Sequence, residues 1–372
     1  MPQVHRLVGR CALLMCLGIR VAVAQPAPGS AVSHPFSITR SDPALDALIA
    51  PDAKLKMVAA GFGFIDGPVW VAGQHGAAGY LLASSIIDNV IYKVTTAGKV
   101  SVYLDRAGYS GEDFANVGKF AQIGRAHVLL MGPGCTGIDG QGRLIWCAGQ
   151  DLAIKRLEKD GTRTVLAAGF DGKHFNGPND VAIATDGAIY FTDSDVGLRG
   201  GIRGPLAQMP DSVWRWKSGK VALVVSRETL GAEPNGIALS PDDKYLYLSA
   251  GTISPDPKVM RYPVNADGSV GAGEIFTHGS GIGDGMKTDG AGNLWSTDAL
   301  PGTVRITAPS GRLLGLLHLP TPGDAEPRKT TCASSVAFGG DDAKTLYITA
   351  CEFIYAIALK APGLLEGPGG QQ

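Results

Sequence analysis

Apolar and polar positions along this chain alternate in short runs broken by turns rich in Gly and Asp, and one phrase recurs six times. The copies begin at Asp66 (DGPVWVAGQHGAAGYLLAS), Gly134 (GCTGIDGQGRLIWCA), Asn179 (NDVAIATDGAIYFTD), Asn235 (NGIALSPDDKYLYLSA), Asp284 (DGMKTDGAGNLWSTD) and Ser335 (SVAFGGDDAKTLYITA). Each reads as two strands joined by a tight turn, because period-2 alternation bounded by Gly and Asp is the hairpin pattern. A second pair of strand-like runs follows five of the copies, as in NVIYKVTTAGKVSVYL at 89–104 and TVRITAPSGRLLGLLHL at 303–319. The sixth copy has only FIYAIALK at 353–360 after it.

Repeats of four strands at this spacing predict an all-β, six-bladed β-propeller. The strand missing from the last unit is supplied by KLKMVAAGF at 54–62, which precedes the first copy and has no partner of its own. Taking it into the last blade closes the ring and leaves no open sheet edge at the seam. A solenoid would need capping repeats, and neither terminus resembles one. One connection departs from the pattern. Residues 105–133 are much longer than the corresponding links, and Phe114, Phe120 and His127 make this stretch a candidate lid over one mouth, with a surface excursion as the alternative.

Composition agrees with many short strands: 52 Gly and 23 Pro in 372 residues, 45% hydrophobic and 18% charged. Net charge is −1 with the two signs interspersed, so nucleic-acid binding has no electrostatic support. At the N-terminus, Arg6 and Arg10 precede the apolar run CALLMCLGI, and Ala22-Val23-Ala24 is a small-x-small cleavage site. The expected organisation is a signal peptide at 1–24, a flexible linker at 25–45, the propeller at 46–363 and a flexible tail at 364–372. No later segment has the length of a membrane span. The expectation is a periplasmic or secreted protein. Removing the leader leaves Cys135, Cys147, Cys332 and Cys351. Each pair stands nearly opposite across the turn of its hairpin, so two cross-strand disulfides are expected in an oxidising compartment, four small buried thiols being the alternative.

In a propeller the first strand of each blade lines the central tunnel, so one repeat position forms a ring at one mouth. That ring reads Asp66, Gly134, Asn179, Asn235, Asp284 and Ser335. Two carboxylates and two carboxamides converge, with no Lys or Arg at the other ring positions. Two Asp repel at close range unless a cation lies between them. Hard oxygen ligands without His or Cys put Ca²⁺ first, with Mg²⁺, Mn²⁺ or Zn²⁺ as alternatives. Any one of these residues alone reads as a turn former; the shared position in four repeats is what points to a metal. Asn176, and His174 and His278 just upstream of two of the phrases, are candidate substrate contacts. GxSxG, HExxH, CxxC and phosphate-loop patterns are absent from the sequence.

DGPVW at 66–70, FNGPNDVAIATDGAIYFTD at 175–193, EPNGIALSPDDKYLYLS at 233–249, GDGMKTDGAGNLWSTD at 283–298 and VAFGGDDAKTLYITA at 336–350 resemble the senescence-marker-protein/gluconolactonase family. That family includes regucalcin and is related in fold to diisopropylfluorophosphatase. The resemblance implies a six-bladed propeller with one divalent cation, usually Ca²⁺, at the tunnel mouth. It implies Asn235 and Asp284 as metal ligands and Asn179 as a metal or substrate contact. Asp66 stands where the family usually has Glu, one methylene longer. Gly177 replaces the Arg of regucalcin, and Gly134 an Asn common among relatives.

The function expected from these residues is metal-dependent hydrolysis of a lactone, a sugar lactone such as an aldonolactone in first place. Asp284 is the candidate general base, and Asp66, Asn179, Asn235 and Asp284 are the metal set. Hydrolysis of an organophosphate or another ester at the same metal, and a non-catalytic ligand-binding propeller, are the alternatives.

Overall fold

The computed structural model describes residues 32–74, 76–112, 119–123, 126–130, 132–195, 208–250, 256–279, 281–322 and 332–368. Six antiparallel sheets follow one another around a central tunnel. Blade one runs Ile65–Val71, Tyr80–Ser85, Val90–Thr95 and Val100–Leu104. Blade two is Thr136–Ile138, Leu144–Ala148, Ala153–Leu157 and Arg163–Ala167. Blade three is Pro178–Ile183, Ile189–Asp193, Ser212–Lys217 and Lys220–Ser226. Blade four is Pro234–Leu239, Tyr245–Ala250, Lys258–Pro263 and Glu274–His278. Blade five begins with Gly283–Thr288, Leu294–Asp298, Thr303–Thr307 and Leu313–His318. Blade six is Ser335–Gly339, Thr345–Ala350 and Phe353–Ala358, completed by Leu55–Ala60.

The inner strands touch their neighbours in a closed cycle from blade one to blade six and back. The N-terminal strand seals that cycle as expected: Leu55 faces Ile357 and Ala60 faces Phe353. The core lies in the wedges between blades, where one face of each sheet meets the next. Trp295, Val304 and Leu317 of blade five pack with Val336 and Phe338 of blade six, and Trp70 of blade one stacks on Tyr347 of blade six at 5.5 Å. Closing the ring in this way buries the second strands of the blades on both faces, as in Leu144–Ala148 and Ile189–Asp193, while the outer strands such as Val100–Leu104 keep an exposed face.

Both disulfides form, Cys135–Cys147 with Cα atoms 5.0 Å apart and Cys332–Cys351 at 5.5 Å. They point to an extracytoplasmic protein. No helix among the described residues is long and apolar enough to cross a membrane.

Parts of the two segments expected to be flexible pair with or pack on the propeller. Within 25–45, Ser37–Arg40 adds a fifth strand outside Leu313–His318 of blade five, because Phe36 and Ile38 alternate with polar residues and pack on the core. Asp42 then caps a short turn at Pro43–Ala47, accepting from the backbone N–H of Ala44, and Leu45 is buried. In the tail, Leu365 packs on the core and Glu366 enters the tunnel. The leader at 1–24 lies outside the described residues. Within 105–133, Asn89 clamps the start: its Oδ1 accepts from the backbone of Gly108 and Tyr109, and its Nδ2 donates to Tyr109 O. Lys119–Ile123 and Ala126–Leu130 form a hairpin. Phe114 and the side chains of Phe120 and His127, on which the lid expectation rests, lie outside the described residues.

Candidate functional site

The inner strand of a blade presents a side chain to the tunnel only where its backbone turns inward. In blades one, three, four and five the ladder between the first two strands slips by one residue, between Asp66 and Val69, Pro178 and Val181, Pro234 and Ile237, and Gly283 and Met286. Each slip is a β-bulge, which places an extra residue on the inner strand and re-aims its side chains. Asn179, Asn235 and Asp284 sit in these bulges. Asp66 stands just before its own bulge, one register position earlier than the other three. This offset is a correction to the sequence alignment, in which the four held the same position.

A bulge leaves backbone groups without ladder partners, and hydroxyls of the second strands take them up. Thr192 Oγ1 accepts from Asp180 N at 3.0 Å and donates to Asn235 O of the next blade at 2.7 Å. Ser249 Oγ accepts from Gly236 N at 2.7 Å, and Thr297 Oγ1 donates to Gly285 O at 2.8 Å. Neighbouring inner strands approach so closely that a Cβ on Gly236 would lie 2.1 Å from Asp284 O, and one on Gly134 2.6 Å from Asn179 O. The Gly after Asp66, Asn235 and Asp284 is therefore a packing requirement, and Gly134 leaves blade two with no side chain to offer.

The result is a small, partly enclosed pocket lined by Asp66, Asn179, Asp180, Asn235, Asp284 and Ser335 with nearby glycines. Asn179 Nδ2 donates to Asn235 Oδ1 at 2.5 Å, and Asn235 Nδ2 donates to Gly283 O at 3.2 Å. Gly67 N donates to Asp66 Oδ1 at 2.7 Å. Burial, and secondarily the charge of Asp180, push the Asp66 carboxyl up to about 7. Burial, then Asp66 and Asp180, push Asp284 well above the usual carboxylate range. Among the described residues, no Lys or Arg lines the pocket. Two desolvated carboxylates facing two carboxamide oxygens form a set of hard donors short of positive charge, which fits a divalent cation.

The remaining expected site residues stand outside this pocket. Asn176 is 0% exposed, donating through Nδ2 to Met209 O at 2.8 Å and to Asp211 Oδ1 at 3.2 Å. Its backbone N–H donates to both oxygens of Asp193, which also accepts from Gly177 N at 2.7 Å. Asn176 thus shapes the entry to the blade-three bulge, outside the pocket lining. His174 turns its Nδ1 to Phe175 O at 2.6 Å on a two-residue hairpin. His278 is exposed and pairs with Asp256 at 3.1 Å.

Several residues were not singled out in the sequence. Asp180 follows Asn179 in the bulge and lines the pocket; burial pushes its carboxyl up, against Lys287, which pulls it down. Beside the mouth, carboxylate oxygens of Asp195, Asp211 and Glu233 lie within 4.8 Å of one another and could hold a metal ion. Arg227 pairs with Asp211 and Ser194 donates to Glu233 at 2.8 Å, so this trio is already partly compensated. Its sequence signal is faint, the acidic residues of FTDSD and EPNG standing in different repeats.

The chain is similar in sequence and fold to known proteins. A gluconolactonase of Zymomonas mobilis is 30% identical over 339 residues, 88% of this chain and 87% of that protein. The structure of a gluconolactonase from Xanthomonas campestris superposes with a TM-score of 0.70 at 26% identity, covering 90% of this chain and 99% of the other. Regucalcin from Agrobacterium tumefaciens, a calcium-binding protein, shares the fold with a TM-score of 0.60 at 17% identity over 91% of this chain and 99% of that one. The family model for the SMP-30/gluconolactonase/LRE-like region matches residues 64–352. With tunnel, bulges and acidic pocket all inside that match, the chain belongs to the SMP-30/gluconolactonase/LRE-like family.

Proposed function

We propose that this protein hydrolyses a lactone, in first place a sugar lactone such as an aldonolactone, in the periplasm or outside the cell. It is a gluconolactonase-like hydrolase by family and by its relatives. The observation that carries the reading is the convergence of Asp66, Asn179, Asn235 and Asp284 on one pocket at the tunnel mouth. These four residues would hold one divalent cation, Ca²⁺ in first place and Mg²⁺, Mn²⁺ or Zn²⁺ as alternatives, which when bound supplies Lewis-acid polarisation of the lactone carbonyl.

The chain's own residues divide the remaining work. Asp284 is the general base. It takes a proton from the attacking water as the new C–O bond forms, and burial, which raises its pKa, favours its holding that proton. The proton then passes to the ring oxygen as the ester C–O bond breaks, giving a hydroxy acid. Asn179 orients the ester oxygens through its carboxamide, while Asp66 and Asn235 fix the floor of the site. Asn235 is itself held by Asn179 and by Gly283 O, so the donor set is aligned before a substrate arrives.

A pH-stat screen of aldonolactones and phosphotriesters, run with chelator and after each cation is restored, tests the reading. The expected result is lactone turnover that chelator abolishes and Ca²⁺ restores. Turnover of the phosphotriesters alone, or lactone turnover indifferent to chelator, would overturn it.

A further inference from the structure

Beyond the pocket, the tunnel contains a charge that the pocket itself lacks. Lys287 lies on the inner strand of blade five, three residues past Asp284. Its Nζ donates to Glu366 Oε1 at 2.7 Å, and the other oxygen of Glu366 accepts from the backbone N–H of Ile138 in blade two at 3.0 Å. Glu366 arrives from the C-terminal segment, which is anchored where Gly363 N donates to Ala343 O at 2.8 Å and where Leu365 packs on the core. Gly137 leaves room for it, since a Cβ there would stand 3.1 Å from Glu366 Oε2. Both carboxylate oxygens are engaged, each with a different blade. The segment therefore makes a built contact inside the ring.

Lys287 also acts on a second carboxylate. That is Asp180, whose charge it meets and whose carboxylate, held by the backbone N–H groups of Val181 and Ile237, lines the pocket beside Asp66 and Asp284. Charges thus follow one another from the C-terminal segment to the pocket: Glu366, Lys287, Asp180, then the facing pair.

We propose that the Lys287–Glu366 pair sets the affinity of the tunnel mouth for its divalent cation, with Glu366 neutralising Lys287 from the far end. Both are positioning residues, and the inference rests on the cation reading given above. Without Glu366, Lys287 is a buried ammonium whose remaining carboxylate neighbour is the pocket's own Asp180, and it repels a doubly charged ion. Without Lys287, the carboxylates of Glu366 and Asp180 attract that ion unopposed. The two single changes therefore act in opposite directions, which loss of packing alone does not produce.

The test is the Ca²⁺ dissociation constant, measured by competition with a chromophoric chelator, for the wild type, E366Q, K287M and the double variant. Calcium-free melting curves of all four run alongside. E366Q is expected to bind about tenfold more weakly, K287M about tenfold more tightly, and the double variant within about threefold of wild type. Single variants that shift the same way, or that both stay within about twofold of wild type, would overturn the proposal. So would an affinity change confined to variants whose calcium-free melting is no longer cooperative. A wild type with no saturable divalent-cation binding removes the cation reading itself, and this proposal with it.

Discussion

Blades one, three, four and five and blades two and six solve the same problem differently. In the first set the inner strand carries one residue more than its partner over the same span, and the strand bends. In the second set the two strands run level, and a disulfide lies at the same end of the hairpin. The bulged blades turn Asp or Asn toward the tunnel and leave backbone groups for Thr192, Ser249 and Thr297 to satisfy. The level blades contribute Gly134 and the hydroxyl of Ser335. Chemistry is placed where the sheet is irregular, and covalent reinforcement where it is regular. A bulge disrupts its ladder locally, whereas each disulfide ties together the strands of its own level blade.

The largest expected effect comes from exchanging one atom in a bulged blade. Asp284→Asn keeps the shape and removes the base, so lactone turnover should fall about 10²–10⁴-fold. Ser335→Ala, at the same mouth in a level blade, should change turnover by less than about threefold, because it carries no step of the reaction. Steady-state rates at saturating Ca²⁺ decide between them. Full activity in Asp284→Asn with metal still bound would end the assignment of the base.

The staples should show the reverse pattern. Replacing Cys135 and Cys147 by Ser opens a link spanning 12 residues and is expected to lower stability by about 3 kcal/mol. Turnover per folded molecule should hold, since neither sulfur lines the pocket. Denaturant unfolding with and without reductant measures the first quantity, and rates at low temperature the second.

Protonation separates the tunnel mouth from its supports. Burial raises Asp66 in the pocket and Asp193 beneath it from 3.8 to about 7. Between about pH 4 and 7 the cation-free folded protein therefore holds more protons than the unfolded chain, and stability falls as pH rises through that window. Below the window it is fully present, and the total change is on the order of a few kcal/mol. Excess Ca²⁺ should remove the part due to Asp66 and leave the part due to Asp193. Melting temperatures from pH 4.5 to 8, with chelator and with Ca²⁺, would reveal the two parts; curves that remain parallel would deny Asp66 a place beside the ion.

Much of this was legible in the sequence, for a local reason. Each blade is made of consecutive strands joined by tight turns, so alternation and turn residues carry the architecture without long-range information. The seam strand at 55–60 was readable because it lacked a neighbour in its own repeat. The four pocket oxygens were readable as side chains recurring at the head of a phrase. What escaped depends on contacts between distant segments. A bulge depends on how two strands pair, so the offset of Asp66 and the exposure of Asp180 to the pocket leave no mark in either strand alone. Lys287 and Glu366 are 79 residues apart and meet only because the ring closes. The outer strand at 37–40 has four residues in a Pro- and Ser-rich stretch, and only the free edge of blade five makes it a strand.

The finest test of the comparison uses glycines, whose replacement adds one methyl group and no chemistry. In blade four the inner strand passes so near blade five that the Cβ of Gly236→Ala would meet Asp284 O at 2.1 Å, a contact with backbone that cannot swing aside. Blade four must then shift, straining the bulge that holds Asn235 and the strand that holds Asp284. The expected cost is about 1–3 kcal/mol of stability, with weaker Ca²⁺ binding. In blade two, Gly140 lies in the hairpin turn, and a Cβ there meets nothing within 4 Å. Gly140→Ala should stay within about 0.5 kcal/mol of wild type and leave Ca²⁺ binding unchanged. Equal effects from the two replacements would mean that the close approach of inner strands in the bulged blades does not govern the site. Affinity lost only at Gly236 would tie the geometry of the bulge directly to the ion it is arranged to hold.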